Sequence, residues 1–270
     1  MNSSIFMTKH TAAIGALVFS GCLSPCAFAS PINPTFDRFG ALAEATWGGS
    51  GIPNDAVAIT EIDIFSDITS GAGQIESGES RPRQIGTITL GLSSHGRYDN
   101  VDEGNNGAGT FYASTGSNTP PSSNLPGATW NFNFYINFTP APRTLTPTGL
   151  NDFDFAIYYD FDPGKGTLET DHGVIDISGA SIADSVTTVQ GSQNLLFSYL
   201  GESGIPGITP PPGTFDPWSA GEYTFALTAN DGTGELGRSA ITVNAVPTPI
   251  SLSLFGLGLA CLGWSKRKKA

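Results

Sequence analysis

Residues 130–138, Trp-Asn-Phe-Asn-Phe-Tyr-Ile-Asn-Phe, alternate apolar and polar side chains without interruption. A period of two is typical of a half-buried strand in an antiparallel sheet, because successive side chains point to opposite faces. A helix would scatter the same apolar residues around its circumference. The stretch therefore predicts a strand with one buried and one solvent-facing row. The predicted buried row is Trp130, Phe132, Phe134, Ile136 and Phe138, and the predicted exposed row is Asn131, Asn133, Tyr135 and Asn137.

The same alternation recurs at Phe153–Phe161 and at Glu222–Ala229, and Asn230-Asp231-Gly232 after the latter predicts a hairpin turn. Weaker strand candidates are Val57–Phe65, Ile85–Leu92, Thr110–Ala113, Gly173–Ile182, Val186–Val189, Leu195–Leu200 and Leu236–Val243. These patterns predict an all-β fold, an antiparallel β-sandwich of jelly-roll or immunoglobulin-like type with roughly eight to ten strands and long loops.

Helical signals are few. Within residues 30–245, Arg38–Thr46 is the one predicted helix, about two turns long, with Phe39, Leu42 and Ala43 on one side. Polar connections rich in Gly, Pro, Ser and Asn occupy 66–82, 93–127, 139–150 and 200–219. The length of residues 30–245 is typical of one all-β domain, so we predict a single β-sandwich body there.

The body is strongly acidic. The chain carries a formal net charge of −12, but residues 30–245 hold all 24 acidic residues and only seven basic ones, a balance of −17. Such a surface repels phosphate backbones, so we expect no nucleic-acid partner. The three cysteines lie in the apolar end segments, so the body has no thiol for a disulfide, a nucleophile or a metal site.

Residues 1–29 read as a secretory signal peptide. A polar start at Lys9 and His10 precedes an apolar stretch and the small-x-small site Ala27-Phe28-Ala29. Lipidation at Cys22, after Ser20-Gly21, is a second reading of the same segment. We favour ordinary cleavage before Ser30, because Phe19 fits a lipoprotein site poorly.

The C-terminal segment 246–270 has three parts in order. Val246-Pro247-Thr248-Pro249 is an extended breaker, Ile250–Trp264 is apolar and rich in Leu and Gly, and a basic cluster closes the chain. The cluster consists of Lys266, Arg267, Lys268 and Lys269. The stretch from Ala245 to Trp264 is just long enough to span a bilayer, and the cations after it predict a single transmembrane helix with its C-terminus in the cytoplasm.

This three-part tail resembles the PEP-CTERM sorting signal of Gram-negative bacteria, with Thr248 in place of the usual Glu. Two body stretches, Gly51–Ile59 and Ala220–Leu227, are loosely similar to other exported proteins of this kind. The resemblance implies export through the inner membrane, handling by an exosortase-type enzyme, and an association with exopolysaccharide or biofilm. It brings no enzymatic activity with it.

Catalytic motifs are missing from the body sequence. It contains no Gly-x-Ser-x-Gly, His-Glu-x-x-His or phosphate-loop pattern. His95 and His172 are candidate general bases, and Asp152 with Asp154 is a candidate glycosidase pair. Each is equally explained as an ordinary solvated side chain, so we expect a non-enzymatic protein with no catalytic residue.

Calcium is the one cofactor that the sequence suggests. The loop 160–171 carries Asp160, Asp162, Glu169 and Asp171 around two glycines, and closely spaced carboxylates are the ligands that Ca²⁺ prefers. A second acidic loop spans 99–106. The alternative is a plain acidic turn in an acidic body.

A glycan face is the second candidate site. Asn131, Asn133 and Tyr135 on one strand and Tyr158 on another would combine amides with rings if those strands pair, and sugars are bound by such groups. Trp47 and Trp218 could add a platform. The alternative is an ordinary solvent-facing sheet. The sequence thus favours an exported cell-surface or extracellular-matrix protein, with a calcium-assisted carbohydrate-binding module as the alternative and a polysaccharide-active enzyme as a third reading.

Overall fold

The computed structural model describes residues 29–66, 83–98, 100–119, 125–142 and 149–247. Strands dominate these ranges, with one short α-helix, α1 (Ser198–Gly201), so the prediction of an all-β fold is confirmed. The strands are β1 (Arg38–Gly40), β2 (Val57–Ser66), β3 (Arg83–Gly96), β4 (Gly104–Asn105), β5 (Thr110–Ser114), β6 (Ser117–Asn118), β7 (Gly127–Ala128), β8 (Trp130–Pro140), β9 (Asp154–Tyr159), β10 (Gly173–Ile177), β11 (Thr188–Gln193), β12 (Ile208–Thr209), β13 (Gly221–Asn230) and β14 (Glu235–Val246). Single 3₁₀ turns occupy Leu150–Asp152, Glu169–Asp171 and Gly179–Ser181.

The strands form two main sheets. The five-stranded sheet has the order β1-β2-β3-β8-β11, and the seven-stranded sheet has the order β12-β10-β9-β13-β14-β5-β4. β6 and β7 pair with each other as a small ribbon. Among the described strands every pair is antiparallel except β5 with β14, which run parallel from Thr110↔Thr242 to Ser114↔Val246. The predicted purely antiparallel arrangement is therefore wrong at this one pair.

The main core lies between the two sheets. Phe132 on β8 stacks on Phe225 of β13 with 4.6 Å between ring centroids, and Trp130 contacts Tyr223 at 5.8 Å. Rings from opposite sheets thus fill the space between the layers. The predicted inward row of β8 is confirmed, because all five of its apolar residues are buried: Trp130, Phe132, Phe134, Ile136 and Phe138.

The predicted hairpin at Asn230-Asp231-Gly232 is also confirmed. β13 and β14 pair along their whole length, from Gly221↔Ala245 to Asn230↔Glu235, with a bulge at Ala229/Asn230. The carboxylate of Asp231 accepts hydrogen bonds from the backbone N–H and the hydroxyl of Thr233, which fixes the turn. Gly232 has φ +82°, a left-handed conformation that glycine adopts without steric cost.

The predicted helix at Arg38–Thr46 is wrong. Arg38–Gly40 instead pairs with the free edge of β2, Arg38 opposite Ile59. Phe39 then packs toward the inter-sheet core, 5.9 Å from Phe111, whereas Leu42 belongs to a different cluster. Phe39 and Leu42, which suggested one face of a helix, therefore pack into two different hydrophobic clusters.

The predicted strand at Leu195–Leu200 is wrong as well. Asn194 is fully buried and its side-chain oxygen accepts hydrogen bonds from the N–H groups of Ala128 and Leu196, at 3.0 and 3.1 Å. This turn redirects the chain into α1. The predicted strand Gly173–Ile182 also ends early, at Ile177, ahead of the Gly179–Ser181 turn.

A segment between β1 and β2, residues 41–56, covers part of the outer face of the five-stranded sheet; we call it the cover segment. It brings Leu42, Ala45 and Trp47 onto Tyr135 and Ile59. Gln190 on β11 fixes it, since its side-chain oxygen accepts the N–H groups of Thr46 and Trp47, both at 2.8 Å. Half of this outer face is therefore a second small core.

Candidate functional site

The open half of the same outer face holds a polar cleft of about 400 Å³. Its walls combine side chains from β1, β2, β3 and β8 with the start of the cover segment. They are Arg38, Leu42, Glu44, Glu61, Thr89, Tyr135, Asn137 and Thr139. We call it the outer-face cleft.

The local structure explains why these groups converge. β1 pairs with β2, so the guanidinium of Arg38 reaches the carboxylate of Glu61 at 3.2 Å. Thr89 lies directly opposite both Glu61 and Asn137 in the sheet. The amide nitrogen of Asn137 donates to Thr188 Oγ1 at 2.9 Å and its oxygen accepts the Thr139 hydroxyl at 3.0 Å. These bonds orient the polar floor of the cleft.

The outer-face cleft is lined mainly by groups that can donate or accept hydrogen bonds. Two carboxylates accompany one guanidinium, which leaves a net charge of −1 among the lining residues. Carboxylate oxygens accept bonds from hydroxyl groups, and Arg38 and the threonines donate. Tyr135 is only 4% exposed, so it forms a wall and offers no ring face for stacking.

The predicted glycan face is wrong in two respects. Asn133 is fully buried beside His95, and Tyr135 is nearly so because the cover segment packs over it. β8 and β9 also lie in different sheets, so Tyr158 is on another layer, beside Ile32, Ala226 and Ala240. Of the four predicted residues, only Tyr135 lines the outer-face cleft.

Asn131 and Asn133 have structural partners. The amide of Asn131 donates to Ser192 Oγ at 2.8 Å, and its oxygen accepts from Asn194 at 2.7 Å. The Asn133 nitrogen lies 2.8 Å from Nδ1 of His95, which is itself buried. The two amides that were predicted to face solvent therefore hydrogen-bond to side chains of neighbouring parts of the chain.

The two predicted tryptophan platforms differ. Trp47 is buried, with its indole N–H donating to the carbonyl of Pro53 at 2.8 Å. Trp218 is 66% exposed on the loop before β13. β13 belongs to the seven-stranded sheet, whereas the outer-face cleft lies on the five-stranded one. Neither Trp47 nor Trp218 lines the cleft.

The predicted calcium ligands are not brought together. Asp160 is buried, and its Oδ1 accepts the N–H of Asp162 at 2.7 Å, while Asp162 in turn accepts the N–H of Gly164 at 2.8 Å. Glu169 is held by Arg238 at 2.6 and 3.1 Å, which lowers the pKa of its carboxyl. Asp171 is exposed. Across the described ranges no three acidic, His or Cys side chains cluster as a metal site would require.

A buried polar cluster of His172, Thr224 and Asp160, which sequence reasoning missed, occupies the place where calcium was predicted. Nδ1 of His172 bonds to the carbonyl of Leu168 at 2.9 Å, and Nε2 lies 2.8 Å from Thr224 Oγ1. The Asp160 carboxylate lies 3.4 Å from the same hydroxyl and 4.0 Å from His172 Nε2. Burial raises the pKa of Asp160, although neighbouring donors oppose this. Thr224 could have been suspected, since it lies on the supposedly solvent-facing row of its strand.

The candidate catalytic groups likewise have structural partners. His95 and His172 are buried, not solvated as expected for loop histidines. Asp152 accepts the N–H of Gly149 at 3.0 Å, and Asp154 accepts the N–H of Gly179 at 2.8 Å. The second acidic loop uses its amides in the same way, since Asn106 accepts the N–H groups of Ala108 and Thr110.

The predicted sorting elements lie mostly outside the described residues. Val246 and Pro247 are described, and β14 ends at Val246. Thr248, Pro249, the apolar segment, the basic cluster Lys266–Lys269, Cys22 and the signal peptide lie beyond the described ranges. In the part of the chain that the structure describes, no helix has the length and apolar character needed to cross a bilayer.

No protein-family model, curated protein or solved structure matches this chain.

Proposed function

We propose that this chain is an exported, non-enzymatic cell-surface or extracellular-matrix protein, sorted by its PEP-CTERM-like tail. Its body is a β-sandwich, of jelly-roll or immunoglobulin-like type, spanning residues 30–245. The observation that carries the proposal is the boundary at Val246, where the last strand ends on the first residue of the Val-Pro-Thr-Pro motif. The tail thus follows the folded body directly.

The non-enzymatic assignment is supported by the burial and the hydrogen bonds of the titratable groups. His172, Asp160 and Thr224 bond one another inside the protein, and His95 bonds Asn133. A general base must reach the proton it abstracts. Groups that are buried and committed to structural partners are poorly placed for that task.

A truncation tests the sorting role. Ending the chain after Pro247 keeps Val246, whose carbonyl accepts the N–H of Thr115 at 2.9 Å, and removes the apolar segment and the basic cluster. We expect this variant to leave the membrane fraction and appear outside the cell, because Ile250–Trp264 is the only apolar run of membrane length after residue 30. Retention of the truncated chain in the membrane fraction would refute the anchor. Thr248→Glu is the matched variant, which we expect to mature normally.

A second candidate function, binding of a neutral polysaccharide, is favoured by the outer-face cleft. The cleft offers two carboxylates, an arginine, an amide and hydroxyls on one rigid sheet face, and such groups bond sugar hydroxyls. Because the lining residues sum to −1, neutral exopolysaccharide should bind better than an acidic one. The calcium assistance suggested by the sequence has no support in the loop 160–171.

A glycan screen with matched variants tests this candidate. We expect Glu61→Ala with Asn137→Ala to reduce retention of the protein on a neutral polysaccharide at least tenfold, since two hydrogen-bonding groups are lost. Glu222→Gln, on the seven-stranded sheet, is the control and should bind as the wild type does. Equal binding by all three proteins would exclude the outer-face cleft as the binding site.

A further inference from the structure

The chain leaves the body at a fixed point. Val246, the last residue of β14, lies opposite Ser114 and accepts a hydrogen bond from Thr115. Only residues 247–249 separate it from the apolar segment that begins at Ile250. Three extended residues span at most about 10 Å. Whatever holds the apolar segment must therefore lie close to this end of the body, which we call the exit end.

The strand register shows which other parts of the chain lie at the exit end. β13 begins there, with Gly221 opposite Ala245, and β9 ends there, with Tyr159 opposite Phe225. β8 begins at Trp130, which contacts Tyr223, and β3 ends opposite it at Gly96. The described loop residues next to these strand ends share the exit end: 97–98, 100–103, 115–119, 125–129, 160–164, 194–200 and 210–220.

Exposed apolar side chains concentrate at the exit end. Among the described residues, eight large hydrophobic side chains are exposed, and five of them lie on these loops or at Val246 itself. Trp218 and Leu125 are the most exposed, at 66% and 69%. Phe65 lies at the opposite end, Tyr112 lies on β5, and Leu168 precedes Glu169, which Arg238 holds toward the hairpin end of β14. The five are Tyr98, Val101, Leu125, Trp218 and Val246.

The position of Trp218 is fixed by its own loop. The Asp216 carboxylate accepts the N–H of Trp218 at 3.0 Å and the hydroxyl of Ser219 at 2.9 Å. The carbonyl of Pro217 accepts the N–H of Gly116 at 2.6 Å, and a Cβ on Gly116 would lie 3.6 Å from the indole ring. Gly116 follows Thr115, which bonds Val246. The exposed indole is therefore held beside the point where the chain exits.

We propose that the exit end rests on the bilayer surface, with Trp218 and Leu125 at the level of the lipid headgroups. The inference rests on the proposed function, in which Ile250–Trp264 spans that bilayer. Tryptophan favours the membrane interface because its ring is apolar and its N–H still finds a polar partner. The short link from Val246 brings the exit end within reach of that interface, and the five apolar side chains give it a surface to insert.

The charge of the exit end selects the kind of lipid. Asp102, Asp162 and Asp216 are exposed carboxylates on its loops, against one exposed cation among the described residues beside them, Lys165. Anionic headgroups repel such groups, whereas zwitterionic headgroups do not. The exit end therefore fits a zwitterionic surface, and contact with an anionic bilayer should be weaker.

Tryptophan quenching by lipids tests the proposal. The chain has four tryptophans: Trp47 and Trp130 are buried, Trp218 lies at the exit end, and Trp264 lies in the apolar tail. The protein with its C-terminal segment intact is reconstituted in phosphatidylcholine vesicles that contain lipids brominated at known depths. In a Trp264→Phe variant we expect loss of Trp218 emission with shallow bromines. The loss should diminish when phosphatidylglycerol is added. A variant carrying both Trp218→Phe and Trp264→Phe gives the baseline of the two buried rings.

Two further variants separate the possible outcomes. In Trp218→Phe, Trp264 reports insertion of the tail alone. If Trp264 is quenched in that variant but Trp218 is not quenched in Trp264→Phe, the tail is inserted and docking of the exit end is overturned. If neither ring is quenched, the membrane anchor itself is overturned, and the docking with it. Phe65→Trp in the baseline variant places a ring at the opposite end, and quenching of that ring would overturn the end-on orientation.

Discussion

At the scale of single residues, Asn133 shows how a polar side chain on a supposedly exposed row becomes part of a core. It has no exposed surface, its amide nitrogen lies 2.8 Å from Nδ1 of His95, and its oxygen has no partner. A buried polar group without a hydrogen bond costs stability, so the contact with His95 must offset part of that cost.

Asn133→Ala should destabilise the protein by about 1–3 kcal/mol, because it removes the partner of a buried imidazole nitrogen. Thr139→Ala, on the same strand and exposed, should change stability by no more than about 0.5 kcal/mol. Urea unfolding of both variants checks this. A loss for Asn133→Ala as small as that for Thr139→Ala would mean that the covered face is hydrated in solution.

Asp160 gives a pH-dependent prediction. Its burial raises the pKa of the carboxyl above the value of 3.8 expected in the unfolded chain. The folded protein then binds a proton at this site more tightly than the unfolded chain does. The resulting stabilisation is complete below the unfolded pKa and is lost as pH rises through the folded pKa.

Asp160→Asn should therefore be stabilised relative to wild type as pH rises from about 4 to 7, because asparagine stays neutral while aspartate must ionise in a buried site. The measurement is the free energy of unfolding of both proteins across that pH range. If the free energies of unfolding of the two proteins changed with pH in parallel, the raised pKa assigned to Asp160 would be contradicted.

At the scale of elements, β8 joins the two layers. It pairs with β3 and β11 in its own sheet and presents its aromatic row to the opposite sheet, where Phe132 stacks on Phe225. Its other face is shared between the cover segment and the outer-face cleft. One strand thus contributes to the main core, to the second small core and to the candidate site.

Phe132→Ala should cost about 3–5 kcal/mol, the range for truncating a fully buried phenylalanine. Phe65→Ala, at the exposed end of β2, should cost no more than about 0.5 kcal/mol. Chemical denaturation measures both changes. Comparable losses in the two variants would show that the sheets do not pack through the β8 row.

At the scale of the whole molecule, we expect the negative charge of the body not to create a calcium requirement in loop 160–171. The carboxylates there are already bonded: Asp160 and Asp162 to backbone N–H groups, and Glu169 to Arg238. Displacing those donors would cost the interactions they make, so an added cation gains little. The melting temperature measures this directly, because a ligand that binds only the folded state must raise it.

We expect the melting temperature to be unchanged by EDTA and by millimolar Ca²⁺. The double variant Asp160→Asn with Asp162→Asn is the matched control and should respond in the same way. A rise with Ca²⁺ in the wild type that is lost in the double variant would restore the calcium assignment for this loop.

Features set by neighbouring residues could be predicted from the sequence. The buried row of β8 follows from five apolar side chains at every second position, and the β13–β14 hairpin follows from Asn230-Asp231-Gly232 between two strands. Both depend on side-chain alternation or on turn conformation, which are properties of a few adjacent residues. The same local rule predicts Asn137 and Tyr135 together on one face, and both line the outer-face cleft.

Only the tertiary structure decided which residues cover each face of a strand. Tyr135 is buried because residues 41–56 pack over it, and that segment is held by Gln190, 144 positions away from Thr46 in the chain. β8 and β9 carry the same alternating pattern but lie in different sheets. A two-residue period shows which side chains share a face of a strand. The residues that cover that face come from distant parts of the chain, and the packing free energy selects among them.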